Sequence, residues 1–211
     1  MKGRAPMFGE DCSDRYVASY ADSHPDQVSE SYRIDYVETL LVDALFRDYT
    51  LLYVGCGTGG FLRLYAHARR VYGIDYSRKM IEKCHELIAR FNMTHVEAQV
   101  AEFARFDSER RFDIVHTAGI HGAYLPHTDA SMRKVASLLR EGGYGVFAIT
   151  AHPRTLSRYW KRFKNLWRKK ELLEIDPEPF RALLARNGFK VVIEMKKGER
   201  GDRFIYVCQR V

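Results

Sequence analysis

The stretch that decides the fold reads Leu51-Leu52-Tyr53-Val54-Gly55-Cys56-Gly57-Thr58-Gly59-Gly60-Phe61. It opens with the short apolar run of a buried parallel strand and then places four glycines within six residues. Glycines suit this position because they let the backbone turn sharply and let a ligand approach it closely. An amphipathic run from Phe61 to Arg69 follows. The stretch therefore predicts a strand, a tight turn, and a helix whose free N–H groups and positive dipole end lie at the turn.

A second apolar run ends at Asp75, twenty residues after Gly55. A carboxylate at the end of a second strand can accept hydrogen bonds from both hydroxyls of a ribose. Gly55, Gly57 and Gly60 also match the Gly-x-Gly-x-x-Gly pattern of dinucleotide-binding turns, which is weak evidence by itself. The order of strand, turn, helix, strand and acid favours a nucleoside-binding βαβ unit over a chance glycine-rich turn.

The bulk properties fit one α/β domain, since 211 residues leave no room for a second domain of similar size. The longest apolar run, around 144–151, is too short to span a bilayer, so we expect no integral membrane association. No apolar signal region follows the basic N-terminus. The cysteines show no metal-ligand spacing, so we expect free thiols, no metal site and a cytoplasmic location. These are Cys12, Cys56, Cys84 and Cys208.

Hydrophobic periodicity predicts helices and strands in alternation. The predicted helices cover residues 29–46, 59–68, 78–91, 129–139 and 176–187. The predicted strands cover residues 50–54, 70–74, 95–100, 112–117, 144–151, 189–196 and 203–208. Ser77 is the expected N-cap of the helix at 78–91, and Glu141-Gly142-Gly143 the expected end of the helix at 129–139. The joint at 197–202 is too short for a crossover helix, so the last two strands must be antiparallel neighbours.

Four ordered motifs between about Leu51 and Cys208 make the chain resemble the class I S-adenosylmethionine-dependent methyltransferases. The first and second motifs of that family are matched by residues 54–59 and 73–80, and its fourth-strand motif by residues 112–115. The segment leading into its fifth strand is matched by residues 138–144. The family also has the terminal antiparallel hairpin, which separates it from nicotinamide-dependent oxidoreductases. The resemblance implies a Rossmann-like three-layer α/β sandwich with a seven-stranded, mostly parallel sheet and an antiparallel terminal hairpin strand.

The resemblance implies S-adenosyl-L-methionine as the cofactor. Gly55 and Gly57 would let the backbone approach its methionine part, and Asp75 would bind its ribose hydroxyls. Tyr76 and Met80 would pack on the adenine, with core packing as the alternative. Ala101 and Glu102 fall near the adenine amino edge, although Glu102 could equally be a solvated loop acid. The implied cofactor-binding positions are Tyr53, Gly55, Cys56, Gly57, Asp75, Tyr76, Met80, Ala101, Glu102 and Thr117.

Tyr53 is a departure from the family pattern. The family usually has an acid at this position, which helps to hold the ammonium group of the cofactor. A phenol can accept a hydrogen bond but brings no negative charge at neutral pH, and no other acid lies within the turn. The departure leaves open a homologue that binds the cofactor without catalysis.

Methyl transfer from a sulfonium mainly requires alignment of the nucleophile, the methyl group and the sulfur. The loop after the fourth strand, residues 118–128, borders the methyl group in this family. Within it, His121 could act as a general base near neutral pH, and Tyr124 and His127 are further candidates. The alternative is that these residues only position the loop or face solvent.

The helical segment at 1–48 precedes the cofactor-binding domain at 49–211 and either covers the cofactor or simply packs on the sheet. A stripe of apolar residues in its predicted helix has helical spacing: Ile34, Val37, Leu41, Ala44 and Leu45.

Residues 153–170 hold eight Lys or Arg and no acid, which accounts for the net charge of +7. They could form a lid over the acceptor, a surface for RNA or anionic lipid, or a solvated helix. The aromatic side chains of the lid would be Tyr159, Trp160, Phe163 and Trp167. We favour the lid and therefore methyl transfer to an oxygen or nitrogen of a small molecule. The alternatives are an RNA methyltransferase that uses this segment and a cofactor-binding, non-catalytic homologue.

Overall fold

The structure is a computed structural model that describes residues 30–117, 126–150, 176–197 and 203–211. Its α-helices are α1 (Glu30–Leu45), α2 (Arg78–Arg90), α3 (Asp129–Leu138) and α4 (Pro177–Arg186), with a short 3-10 helix at Leu62–Leu64. Its strands are β1 (Tyr49–Val54), β2 (Ala68–Asp75), β3 (Val96–Val100), β4 (Phe112–His116), β5 (Leu139–Thr150), β6 (Phe189–Lys197) and β7 (Arg203–Arg210).

The seven strands form one sheet in the order β3-β2-β1-β4-β5-β7-β6. The strands β1 to β5 pair in parallel, whereas β7 is antiparallel to both β5 and β6. This arrangement confirms the predicted Rossmann-like fold with its antiparallel terminal hairpin strand. An oxidoreductase of the dinucleotide-binding type would have a sheet that stays parallel up to its last strand. The antiparallel β7 argues against that alternative.

Hydrophobic clusters on both faces of the sheet make the three layers. Leu52 and Val54 of β1 belong to the cluster that includes side chains of α3 and α4. Leu51 and Tyr53 alternate with them and belong to the cluster that includes side chains of α1 and α2. Strand β1 is therefore buried on both faces, as its unbroken apolar sequence predicts.

The prediction of an α-helix at residues 59–68 is wrong. Only the 3-10 helix at Leu62–Leu64 occurs there, and β2 already begins at Ala68. Gly59 has a φ of 82°, which is left-handed and unsuited to the start of an α-helix. Tyr65 then leaves the helical conformation with a ψ of 63°, and its side chain is fully buried. No helix N-terminus therefore lies at the glycine turn.

The predicted end of the helix at 129–139 is also different. Strand β5 begins at Leu139, directly after α3, and Gly142 and Gly143 lie within the strand. The pairing of β5 with β4 shifts register across this part, and Gly142 has a φ of 70°. The two glycines thus make an irregularity in the strand, a common role of glycine in sheets, and do not end the helix. The N-cap at Ser77 is confirmed, since its hydroxyl accepts a hydrogen bond from the Met80 N–H at 3.4 Å.

The face of helix α1 that packs toward the sheet is not the predicted apolar stripe. Val37 is 39% exposed and Leu45 is 44% exposed. Four residues outside that stripe are buried instead: Glu38, Thr39, Val42 and Asp43. The polar face is turned inward because its two carboxylates have buried polar partners. One of them, Asp43, accepts hydrogen bonds from the Tyr49 hydroxyl at 2.7 Å and the His67 N–H at 2.9 Å.

Candidate functional site

The carboxyl ends of four adjacent parallel strands meet at one edge of the sheet. There β1 ends at Val54, β2 at Asp75, β3 at Val100 and β4 at His116. In open α/β sheets, ligands bind in the crevice outside these carboxyl ends. All ten cofactor-binding positions predicted from the sequence lie at this edge or within a few residues of it.

The glycine turn is held to the neighbouring strand by its backbone. The N–H groups of Gly55 and Cys56 donate to the Ile74 carbonyl at 2.8 and 3.0 Å. Gly55 and Gly57 have φ values of 76° and 54°, which side-chain-bearing residues rarely adopt. A Cβ atom added at Gly57 would meet no heavy atom within 4 Å. The space beside Gly57 is therefore open for a ligand to approach the backbone.

Asp75 joins the glycine turn to the start of α2. One carboxylate oxygen accepts from the Gly57 N–H and the other from the Ser77 N–H, each at 2.9 Å. Burial raises the pKa of this carboxyl, and the hydrogen bonds from Ser77 and Gly57 act in the opposite direction. Each carboxylate oxygen has a further lone pair, so the group can still accept from ribose hydroxyls.

The next strand end completes this side of the edge. The Ala101 N–H donates to the backbone carbonyl of Asp75 at 2.8 Å. Met80 is buried and Tyr76 is half-buried at the start of α2, beside Asp75 in sequence. Glu102 is exposed and pairs with Arg105 at 3.2 Å. The groups expected to meet an adenosine thus lie on β2, β3 and the beginning of α2.

Cys56 turns its side chain into the core. Its sulfur would lie 2.9 Å from a Cβ atom added at Gly73, so these two residues pack tightly. A hydrogen bond with the Cys84 thiol and burial both raise the pKa of Cys56 well above its usual range. The thiol is therefore a packing group, and the backbone of Cys56 holds the turn by donating to Ile74 and accepting from Gly59, each at 3.0 Å.

Tyr53 is buried between two polar aromatic side chains. Its ring centroid lies 5.0 Å from that of His116 and 5.9 Å from that of Tyr65. Tyr53 and His116 are also register partners on the adjacent strands β1 and β4. The position of the family's usual acid is thus occupied by an aromatic ring packed against an imidazole.

A buried polar chain that the sequence analysis missed lies at this edge. The Tyr65 hydroxyl hydrogen-bonds Nδ1 of His116, and Nε2 of His116 bonds a Glu38 carboxylate oxygen at 2.9 Å. The side chains of His116 and Glu38 are both 0% exposed. The only sequence signal was a histidine next to the apolar Ile114 and Val115 in a buried strand, because an acid on a helix resembles a solvated residue.

The predicted catalytic histidine, His121, lies outside the described residues, as do Tyr124 and the segment at 153–170. His127 lies before α3, and its ring packs on Phe180 of α4 at a centroid distance of 5.3 Å. Thr117 is buried, and its hydroxyl donates to the Val146 carbonyl at 3.0 Å. Thr117 thereby ties the end of β4 to β5. Within the described ranges, no three His, Cys, Asp or Glu side chains form a group that could hold a metal ion.

Comparison with known proteins gives a consistent result. The model of a family described as a methyltransferase domain matches residues 51–143. An uncharacterised methyltransferase of Anoxybacillus flavithermus is 32% identical over an alignment of 147 positions that covers 67% of this chain and 66% of that protein. The chain covers less than two thirds of the length of the curated relatives it matches.

Two solved structures have the same fold. One is magnesium protoporphyrin IX methyltransferase (ChlM) from Synechocystis PCC 6803 with bound SAH, with a TM-score of 0.69, 20% identity and 94% coverage of both chains. The other is N-methyltransferase NodS from Bradyrhizobium japonicum WM9 in complex with S-adenosyl-L-homocysteine. It has a TM-score of 0.67 and 14% identity, over 93% of this chain and 97% of that one.

Proposed function

We propose that this chain, which belongs to the class I S-adenosyl-L-methionine-dependent methyltransferase family, transfers the methyl group of that cofactor to an oxygen or nitrogen of a small molecule. The observation that carries the proposal is the position of Asp75. Its side chain accepts from Gly57 and its backbone carbonyl accepts from Ala101, so one residue joins the ends of β1, β2 and β3. The edge that results has an open glycine backbone beside a buried carboxylate.

The residues at this edge fit the cofactor. The open space beside Gly57 accommodates close approach of a ligand, and the lone pairs of Asp75 suit the ribose hydroxyls. The half-buried Tyr76 offers apolar surface to the adenine, and the buried Met80 lies one helical turn further along. When bound, the cofactor supplies an activated methyl group, and the residues of the chain have to hold it in line with the acceptor.

The part of the proposal that concerns the methyl acceptor is based on the amino-acid sequence. We propose His121 as the base where the acceptor must lose a proton, residues 1–48 as a cover for the cofactor, and residues 153–170 as a lid. The ChlM and NodS structures support the fold of this proposal, and their names describe a porphyrin methyltransferase and an N-methyltransferase. A small acceptor is favoured because a lid that follows β5 in the sequence would lie beside the crevice at the strand ends.

The test is transfer of a labelled methyl group from S-adenosyl-L-methionine to fractions of a cell extract. The purified chain is incubated separately with the small-molecule fraction and with bulk RNA, and the Asp75→Ala variant is the control. We expect label in the small-molecule fraction, with much less transfer by the variant. Label in RNA, lost when Lys161, Arg162 and Lys164 are changed to glutamine, would establish the RNA alternative. Cofactor binding without transfer to either fraction would establish the non-catalytic alternative.

A further inference from the structure

The polar chain of Tyr65, His116 and Glu38 ends on a buried carboxyl group. Burial raises the pKa of Tyr65 well above its usual range, and the Thr39 hydroxyl also hydrogen-bonds the phenol. When the Tyr65 hydroxyl donates to Nδ1 of His116, Nε2 carries the ring proton and donates it to one carboxylate oxygen of Glu38 at 2.9 Å.

One carboxylate oxygen of Glu38 is left without a partner in this chain of hydrogen bonds. Its side chain is 0% exposed, and its second carboxylate oxygen, Oε2, has no hydrogen-bond partner among the described residues. In the same part of the chain, no Lys or Arg pairs with it; its one ion-pair contact is with His116. A buried carboxylate without a cation is costly, and native proteins rarely leave one unpaired. Its environment is therefore suited to a positive charge that arrives with a ligand.

The sheet order places this charge at one end of the candidate site. The order β3-β2-β1-β4 puts Asp75 and Ala101 on one side of the glycine turn, and His116 with Glu38 on the other. A nucleoside held by Asp75 would thus extend its substituent across the turn toward β4. The amino-acid end of S-adenosyl-L-methionine or S-adenosylhomocysteine has an ammonium group, which supplies the missing cation.

We infer that Glu38, oriented by His116, is a positioning residue that supplies the negative charge for the ammonium group of the cofactor. The charge comes from helix α1 and not from the end of β1, where Tyr53 packs on the His116 ring. This inference rests on the proposed function. It also gives α1 a role in cofactor binding beyond packing on the sheet.

The test compares S-adenosylhomocysteine with its deamino analogue, in which hydrogen replaces the α-amino group. Calorimetry measures the dissociation constants of both ligands for the intact chain and for two variants. Glu38→Gln keeps the shape and the acceptor for His116 but removes the charge. Asp43→Asn is the matched control because Asp43 is another buried carboxylate of α1, bonded to Tyr49 and His67.

We expect the wild-type chain to prefer S-adenosylhomocysteine over the deamino analogue by about tenfold or more, the scale of a lost interaction with a charged group. Glu38→Gln should abolish that preference while binding the analogue as the wild type does, and Asp43→Asn should keep it. A purely structural role would instead lower the affinity for both ligands equally and leave the preference unchanged, which would overturn the inference.

The wild-type measurement decides the question even if Glu38→Gln does not fold. If the wild type binds both ligands with equal affinity, the ammonium has no anionic partner and this inference fails, while the proposed cofactor remains. If the wild type binds neither ligand, the proposed function fails and the inference fails with it.

Discussion

At the scale of single residues, Asp75 is the side chain on which the proposed cofactor site depends most. Replacing it by Ala should weaken S-adenosylhomocysteine binding by about 10- to 100-fold, because two hydrogen bonds to a charged group are lost and loop relaxation recovers part of the loss. Equilibrium titration measures the effect. An unchanged dissociation constant would mean that the ribose does not meet this carboxylate.

The control for Asp75 is Asp113, the buried carboxylate at the start of β4. It accepts from the backbone and hydroxyl of Thr50 at 2.6 and 2.9 Å and pairs with Arg140 at 2.7 Å. Asp113→Ala should lower the free energy of unfolding as Asp75→Ala does, because both lose buried hydrogen bonds. It should leave ligand affinity unchanged, since it lies at the opposite end of the strands.

Two glycines of the same turn are expected to have different roles. Gly59 is required for packing of the core, and Gly57 leaves space for the ligand. At Gly59, an added Cβ would lie 2.6 Å from the Cys84 sulfur, so Gly59→Ala should destabilise the fold by about 2–3 kcal/mol. At Gly57 the space is open, so Gly57→Ala should cost only about 1 kcal/mol of backbone strain. Its methyl group should nevertheless reduce cofactor affinity, because it fills the space that the ligand needs. Urea unfolding and calorimetry on both variants measure the two effects; equal effects on affinity would contradict this division.

At the scale of elements, helices α3 and α4 are joined by an exposed ion pair. Arg186 in the last turn of α4 donates to Asp129 in the first turn of α3 at 2.6 Å, and Asn187 donates to it at 2.7 Å. Hydrogen bonds from Arg186 and then Asn187 lower the pKa of Asp129 from 3.8 to about 2. The folded-state pKa lies below the unfolded one, so this stabilisation is present above pH 3.8 and is lost as the pH falls through about 2.

Asp129→Asn should therefore lower the urea midpoint at neutral pH. The difference between the variant and the wild type should vanish as the pH approaches about 2, because the wild-type carboxyl is then protonated. Denaturation curves across this range measure it. If the urea midpoints of the variant and the wild type still differed at about pH 2, the pair would stabilise the fold through packing and not through charge.

Helix α1 illustrates which properties of a helix can be predicted from the sequence. Its existence and bounds follow from helical periodicity, but the face that it buries does not. Glu38 and Asp43 are buried because His116, His67 and Tyr49 lie opposite them. His116 and His67 are 78 and 24 residues away from their partners along the chain, and only Tyr49 is local. The same limit explains the missing helix after the glycine turn, where the burial of Tyr65 ends the helical conformation.

At the scale of the whole molecule, the sheet could be predicted because its rules are general. The short joint before β7 requires an antiparallel hairpin, and the glycine turn with Asp75 fixes the first βαβ-like unit at the carboxyl edge. The match of residues 51–143 to a methyltransferase-domain family agrees with both features. The proposals about the acceptor rest on residues 118–125 and 151–175, outside the described part of the chain.

Among the described residues, no helix is long and apolar enough to cross a membrane. The whole-molecule account depends on what binds at the carboxyl edge of the sheet, where the Gly57 N–H donates to the Asp75 carboxylate.

The most direct measurement of that claim is a calorimetric titration of the intact chain with S-adenosylhomocysteine, with NADH as the comparison ligand. The account predicts saturable one-to-one binding of S-adenosylhomocysteine and none of NADH. The absence of S-adenosylhomocysteine binding at millimolar concentration, or stronger binding of NADH, would contradict it.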